Sequence, residues 1–144
     1  MDLPALQAFF ERYQQLFQEG LAGHADLPAV AASYAAAFVA ASPAGVSVGR
    51  NDEQLAVVMR QGFERYRRLG TKSMALRGVR QSAIDAQHCV AHVAWTATYA
   101  RAGGADVAID FEAHYLVQQL DGPPRIFGWV SGDEEALMRA HGIG

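Results

Sequence analysis

An α+β fold, three N-terminal helices packed on a curved antiparallel sheet, is predicted by three observations. Apolar residues recur at helical spacing in three segments before Gly70. After Gly70 the period changes to two. Long alternating runs then follow one another, with short turns between them, as antiparallel hairpins do. Helices gathered first and hairpins last close one face of the sheet, and the resulting cone is expected to hold a pocket.

The first helix carries Leu3, Leu6, Phe9, Phe10, Tyr13, Leu16 and Phe17 on one face and Glu11, Arg12, Gln14, Gln15 and Gln18 on the other. Asp2 caps its start, Pro4 lies in its first turn, and Gly20 and Gly23 mark its end. Asp26 caps a shorter second helix with Pro28 in its first turn and Leu27, Val30, Ala31 and Tyr34 as its apolar stripe. Ala35 to Ala41 reads either as helix, from its alanines, or as the opening of a strand at Phe38 and Val39. Ser42-Pro43-Ala44-Gly45 breaks any helix there, and Gly45 to Gly49 is a loop or short strand.

Asn51 through Gln54 resembles a capping box for the third helix. Its apolar face is Leu55, Val58, Met59, Gly62, Phe63 and Tyr66, and Gly70 closes it. Gly62 costs about 1 kcal/mol of helix propensity inside that face, and close packing against the sheet is the expected reason.

The first long strand alternates Met74, Leu76 and Gly78 with Ser73, Ala75 and Arg77 and runs towards Ile84. The next runs from about His88 to Arg101, the third from Val107 to about Leu120, and a fourth from Arg125 to near Gly132. A helical turn from Asp133 to His141 precedes a flexible-looking Gly142-Ile143-Gly144. No repeat, linker or low-complexity segment interrupts this plan, so the 144 residues are read as a single domain, 1–144.

Alternation sorts the sheet into two faces. Ala91, Val93, Trp95, Ala97 and Tyr99, with Val107, Ile109, Phe111, Ala113, Tyr115 and Val117, are predicted to face the helices. The outer face mixes Val90, Ala94, Thr96, Thr98 and Leu116 with His92, Asp110, Glu112 and His114. That mixture carries less charge than a solvated face, so a homodimer packing sheet on sheet is expected, against the alternative of a monomer with a semi-polar face.

Composition narrows the classes. Apolar residues make up 51% and charged ones 19%, as in an ordinary globular chain. With 12 basic and 15 acidic residues the formal charge is −3, which gives no footprint for nucleic acid or an anionic membrane. The Arg65, Arg67 and Arg68 cluster complements a helix C-terminus. Cys89 is the single cysteine, so neither an intrachain disulfide nor a cysteine zinc site is available. Met1-Asp2-Leu3-Pro4 has no signal-peptide character and no run is long enough to span a bilayer, so a cytoplasmic protein is expected.

The residues Phe9-Phe10-Glu11-Arg12-Tyr13 through Asp26-Leu27-Pro28-Ala29-Val30, the break at Ser42-Pro43-Ala44-Gly45, and the helix and meander that follow resemble the NTF2-like superfamily. Val93 to Tyr99, Tyr115-Leu116-Val117 and Asp121-Gly122-Pro123-Pro124-Arg125-Ile126 are similar to its SnoaL-like members. The resemblance covers nearly the whole chain and implies an α+β cone, commonly dimeric. Its activities run from ketosteroid isomerase, dehydratase, cyclase and epoxide hydrolase to non-catalytic binding, so the fold does not choose among them.

The resemblance to ketosteroid isomerases implies a role for Tyr13, which matches a helix-one tyrosine that donates to a developing oxyanion. A core tyrosine bonded locally is the alternative. Where that family has an aspartate base, this chain has Ser42, which has no neighbouring base in sequence to help it take a proton. Asp110 is the nearest acidic match for a second donor, but alternation places it outside. His92 and His114, with Asp110 and Glu112, form either a polar patch or a proton-transfer pair.

His24, His88, His92, His114 and His141 show no metal-ligand spacing, and no phosphate loop, dinucleotide fingerprint or nucleophile elbow is present. Neither metal nor cofactor is expected. The candidate ligand-binding residues are Tyr13, Phe17, Tyr34, Phe63, Tyr66, Trp95, Tyr99, Phe111, Tyr115 and Trp129, which suit a small apolar or aromatic molecule. Binding of such a molecule is the leading expectation. A cofactor-free isomerase, dehydratase or cyclase, with Tyr13, His92 and Asp110 as candidate catalytic residues, is the second. A protein-interaction module is the third.

Overall fold

The computed structural model of the chain describes residues 1–143. Helix α1 (Leu3–Leu21) starts at Asp2, whose carboxylate accepts the Ala5 amide at 2.8 Å. It buries Leu6, Phe10 and Leu16. Helix α2 (Leu27–Ala32) is capped in the same way by Asp26. Strands β1 (Tyr34–Ser42) and β2 (Gly45–Arg50) follow, then α3 (Glu53–Arg68), β3 (Thr71–Ala83), β4 (His88–Tyr99), β5 (Val107–Gln118), β6 (Arg125–Ser131) and α4 (Glu134–Ala140).

The six strands form one sheet in the order β2-β1-β6-β5-β4-β3. It is mostly antiparallel, as predicted, but β1 runs parallel to β6. The parallel pair arises because Ala35 to Ala41 is strand rather than helix: β1 returns from α2 into the sheet beside the last strand. Its alanines do not hold it in a helix because Pro43 ends the segment and tertiary pairing on both edges overrides propensity. Tyr34 therefore belongs to β1 and not to the stripe of α2.

Alternation holds along β4 and β5. Ala91, Val93, Trp95, Ala97 and Tyr99 are buried, and so are Ile109, Ala113, Tyr115 and Val117. In β3 it is broken between Leu76 and Gly78 by a register shift, so Gly78 faces outward and Val79 takes the buried position. Another shift, in the β5–β6 pairing, leaves Phe127 as the extra residue.

Strand β3 is an edge, and α1 lies along it. Gln18 Nε2 donates to the Met74 carbonyl at 2.9 Å, and the Gln14 side chain accepts the Leu76 amide. Two glutamines on the polar flank of α1 thus satisfy edge groups that would otherwise face open pairing. Arg67, on α3, donates to the Gly20 carbonyl at 2.7 Å and closes the exposed end of α1.

Three local expectations are corrected. The cap of α3 is Asp52, which accepts the Gln54 amide, while the Asn51 amide group bonds the Ala31 and Tyr34 carbonyls. Gly62 does not pack against the sheet: a Cβ there would meet nothing within 4 Å. Gly142-Ile143 is not loose. Gly142 takes φ 77°, the Ile143 amide reaches back to the Met138 carbonyl at 2.8 Å, and both Ile143 and Met138 are buried, which is a Schellman closure of α4. The rest of that expectation falls on Gly144, outside the described residues. No described helix is long and apolar enough to cross a membrane.

Candidate functional site

The centre of the cone is filled with rings. Tyr13 lies 6.3 Å from Trp95 and 6.2 Å from Tyr115 between ring centroids, Phe10 lies 5.0 Å from Tyr115, and Phe38 stacks on Trp129 at 5.3 Å. Such offset and edge contacts hold aromatic side chains in fixed orientations. Space remains on the helix side of this cluster. A cavity of about 160 Å³ lies between α1, α2 and α3, lined by Tyr13, Leu16, Phe17, Val30, Val58, Met59, Gly62, Phe63 and Tyr66.

Each wall follows from the sequence around it. Tyr13, Leu16 and Phe17 sit at i, i+3 and i+4 on α1 and so share a face. Met59, Gly62, Phe63 and Tyr66 do the same on α3, with Val58 at the rim. Val30 and Phe63 are buried, whereas Val58 is 59% exposed, so the mouth opens beside α3. Gly20 makes room for the Phe63 ring: a Cβ on Gly20 would overlap it.

None of the nine lining residues carries a charge or an imidazole; their polar side-chain atoms are the Tyr13 and Tyr66 hydroxyls. The Tyr13 hydroxyl is hydrogen-bonded to the Tyr34 hydroxyl at the start of β1. Burial pushes both phenols well above their ordinary range, and for Tyr13 the neighbouring Tyr34 adds to the rise. Burial raises Tyr66 as well. All three therefore stay neutral and can donate a hydrogen bond; none is a proton acceptor at neutral pH.

Of the ten aromatic residues predicted for the pocket, Tyr13, Phe17, Phe63 and Tyr66 line this cavity. Tyr34 stands directly behind Tyr13. Trp95, Tyr115 and Trp129 belong to the packed aromatic cluster. Tyr99 and Phe111 line a much smaller void of about 20 Å³ with Tyr66, Met74 and Glu134. Tyr66 is the one side chain common to the two spaces.

The other candidate catalytic residues lie elsewhere. His92 and His114 pair across β4 and β5 on the outer face, Nδ1 to Nδ1 at 2.7 Å, with Ser82 Oγ 2.8 Å from His92 Nε2. Asp110 accepts from Thr96 at 2.6 Å and faces Arg77. The sheet separates this patch from Tyr13. Ser42 accepts the Ala44 amide at 3.2 Å in the β1–β2 turn and lines a polar surface cleft.

Sequence reasoning passed over Leu16, Val30, Val58, Met59 and Gly62 as lining residues, because it weighed aromatics above aliphatics. It also gave Glu134 no part in a site. Asp133 is the cap of α4, and Glu134 is half-buried beside the smaller void, where burial raises its carboxyl above the usual range and Arg65 partly offsets the rise. No spacing rule marks such a residue; its burial depends on α4 folding back over the sheet. Among the described residues no group of three potential metal ligands comes together.

A curved sheet closed by helices, with an apolar cavity beside the hydrogen-bonded Tyr13–Tyr34 pair, defines a small α+β cone of the cystatin-like kind. The chain belongs to the NTF2-like protein family DUF6841, whose family model matches residues 4–134. No curated protein matches it. Among solved structures it is similar to an NTF2-like protein with a cystatin-like fold from Novosphingobium aromaticivorans, at 14% identity and TM-score 0.70, covering 96% of this chain and 87% of that one. It is also similar to a ketosteroid isomerase-like protein from Erwinia carotovora atroseptica, at 21% identity and TM-score 0.64, over 90% and 94% of the two chains. The β subunit of benzoate 1,2-dioxygenase from Burkholderia mallei matches at 16% identity and TM-score 0.68, over 95% and 94%. At these identities the likeness is one of fold, and neighbours of such different kinds leave the specific activity open.

Proposed function

We propose that the protein binds a small, weakly polar molecule of about one ring in the cavity between α1, α2 and α3. The observation that carries this reading is the cavity's chemistry: an apolar space of about 160 Å³ with neutral phenols as its only side-chain hydrogen-bonding groups. An apolar cavity of about 150 Å³ accommodates benzene, whereas drug-sized ligands take roughly 300 Å³ or more. A phenol or cyclic ketone therefore suits the size, and a steroid does not. Tyr13 supplies the orienting hydrogen bond to the ligand oxygen, with Tyr34 behind it to keep the hydroxyl polarised.

Binding is favoured over turnover because proton transfer needs an acceptor within hydrogen-bond reach, and no carboxylate or imidazole lines the cavity. A thermal-shift series with phenol and cyclohexanone on wild type and Tyr13→Phe tests the reading. At 100 times its dissociation constant a ligand stabilises by about 2.7 kcal/mol. A clear shift in wild type that shrinks in Tyr13→Phe supports it; no shift with either compound sinks it.

For the outer sheet face we propose a second copy of the chain as partner. Val90, Ala94, Leu116 and Val130 lie there among Arg77–Asp110 and Arg80–Glu112 pairs, which cancel their own charge and so do not repel the same pairs on an identical face. Light scattering on wild type and Leu116→Arg tests it: twice the chain mass falling to one supports the dimer, and a single-chain mass in wild type removes it. The cytoplasm is the compartment we propose, which fractionation of cells making the native protein would check.

A further inference from the structure

We propose that Gly62 is the residue that sets which ligands the cavity admits, an inference that rests on the ligand-binding reading above. Two glycines lie inside the long helices, and their surroundings differ. At Gly20 a side chain has no room, because the Phe63 ring occupies the space. At Gly62 a Cβ would meet nothing within 4 Å, so no packing contact requires glycine. Its backbone is ordinary helix with no positive φ, so no turn requires it either. The helix nonetheless carries the propensity cost of a mid-helix glycine.

What the absent side chain leaves open is the cavity. Gly62 lies between Val58 and Tyr66 on the same face of α3, one turn from each, and all three line the space. Val58 is exposed at the rim. A side chain at position 62 would project from the wall between rim and phenols and narrow the passage. A bare Cα lets the flat face of a ring lie against the helix backbone. A cost to the helix with no structural return, placed at the wall of the apolar cavity beside Tyr13, points to ligand selection.

The test uses the whole chain, with phenol and 4-ethylphenol as probes followed by calorimetry, on wild type, Gly62→Ala and Gly62→Leu. Circular dichroism and unliganded melting of each variant are recorded alongside. Gly62→Leu is expected to fold and to lose at least tenfold in affinity for both probes. Gly62→Ala is expected to melt higher than wild type when unliganded and to weaken 4-ethylphenol more than phenol, which keeps the proposal testable should Gly62→Leu fail to fold. Wild-type binding that both variants retain unchanged overturns the role of Gly62 and leaves the ligand-binding reading standing. Lower unliganded melting of Gly62→Ala also overturns it, since glycine would then be required by packing. Absence of binding by wild type to either probe overturns both.

Discussion

The Tyr13 hydroxyl on α1 is hydrogen-bonded to the Tyr34 hydroxyl on β1, joining the first helix to the strand that makes the sheet mixed. Tyr34 is 3% exposed, and neither phenol ionises near neutral pH. The pair is both a structural tie and the polar end of the cavity.

Removing the Tyr13 hydroxyl leaves that of Tyr34 buried and unsatisfied. Tyr13→Phe is predicted to destabilise the protein by about 1–3 kcal/mol in denaturant unfolding. Tyr13→Phe with Tyr34→Phe should cost less than the sum of the two single changes, because no orphaned hydroxyl remains. Additive losses would mean that the two hydroxyls are not coupled.

The two helix glycines should respond in opposite directions. Gly20→Ala forces the Phe63 ring to move and is predicted to cost about 1–3 kcal/mol, with recovery when Phe63→Leu is added. Gly62→Ala is predicted to stabilise by up to about 1 kcal/mol. Urea titration of the three variants checks both.

Glu134 gives a pH signature. Burial raises its carboxyl in the folded state, so the native protein holds that proton more tightly than the unfolded chain, whose value is about 4.3. The group's contribution to stability is therefore full below the unfolded pKa and is lost as pH rises through the raised folded value. Glu134→Gln should match wild type near pH 4 and melt higher at pH 7. A variant less stable at pH 7 would mean that the carboxylate is held by Arg65 more strongly than burial penalises it.

His92 responds in the other sense. Desolvation, with His114 and Arg80 nearby and Glu112 opposing them, lowers His92 in the folded state. Its contribution is full above the unfolded value of about 6.5 and is lost as pH falls through the folded one. Val130 on β6 pairs with His114 on β5, and Ser82 is the remaining polar neighbour of His92. Melting between pH 7.5 and 5 should show a decline that His92→Gln flattens; parallel curves would remove His92 as its cause.

The inner faces of β4 and β5 were legible because period two maps directly onto a pleat, and Trp95 and Tyr115 are buried as alternation requires. The caps at Asp2 and Asp26 were legible for the same local reason. Ala35 to Ala41 was not, since its strand state comes from partners at residues 45–50 and 126–130 rather than from its own composition. The site was half legible. Tyr13 and Phe17 stand out on an amphipathic helix, but which rings fill the cone and which border a space depends on packing that no single segment encodes. Gly62 was visible as an anomaly, and its cause lay in the empty volume beside it.

The most direct test is an amide nuclear magnetic resonance titration with phenol. Shifts are expected to concentrate at Tyr13, Leu16, Phe17, Val30, Met59, Gly62 and Tyr66, the walls of the cavity. Shifts confined to the outer sheet face, or none at millimolar phenol, would contradict binding in the cavity.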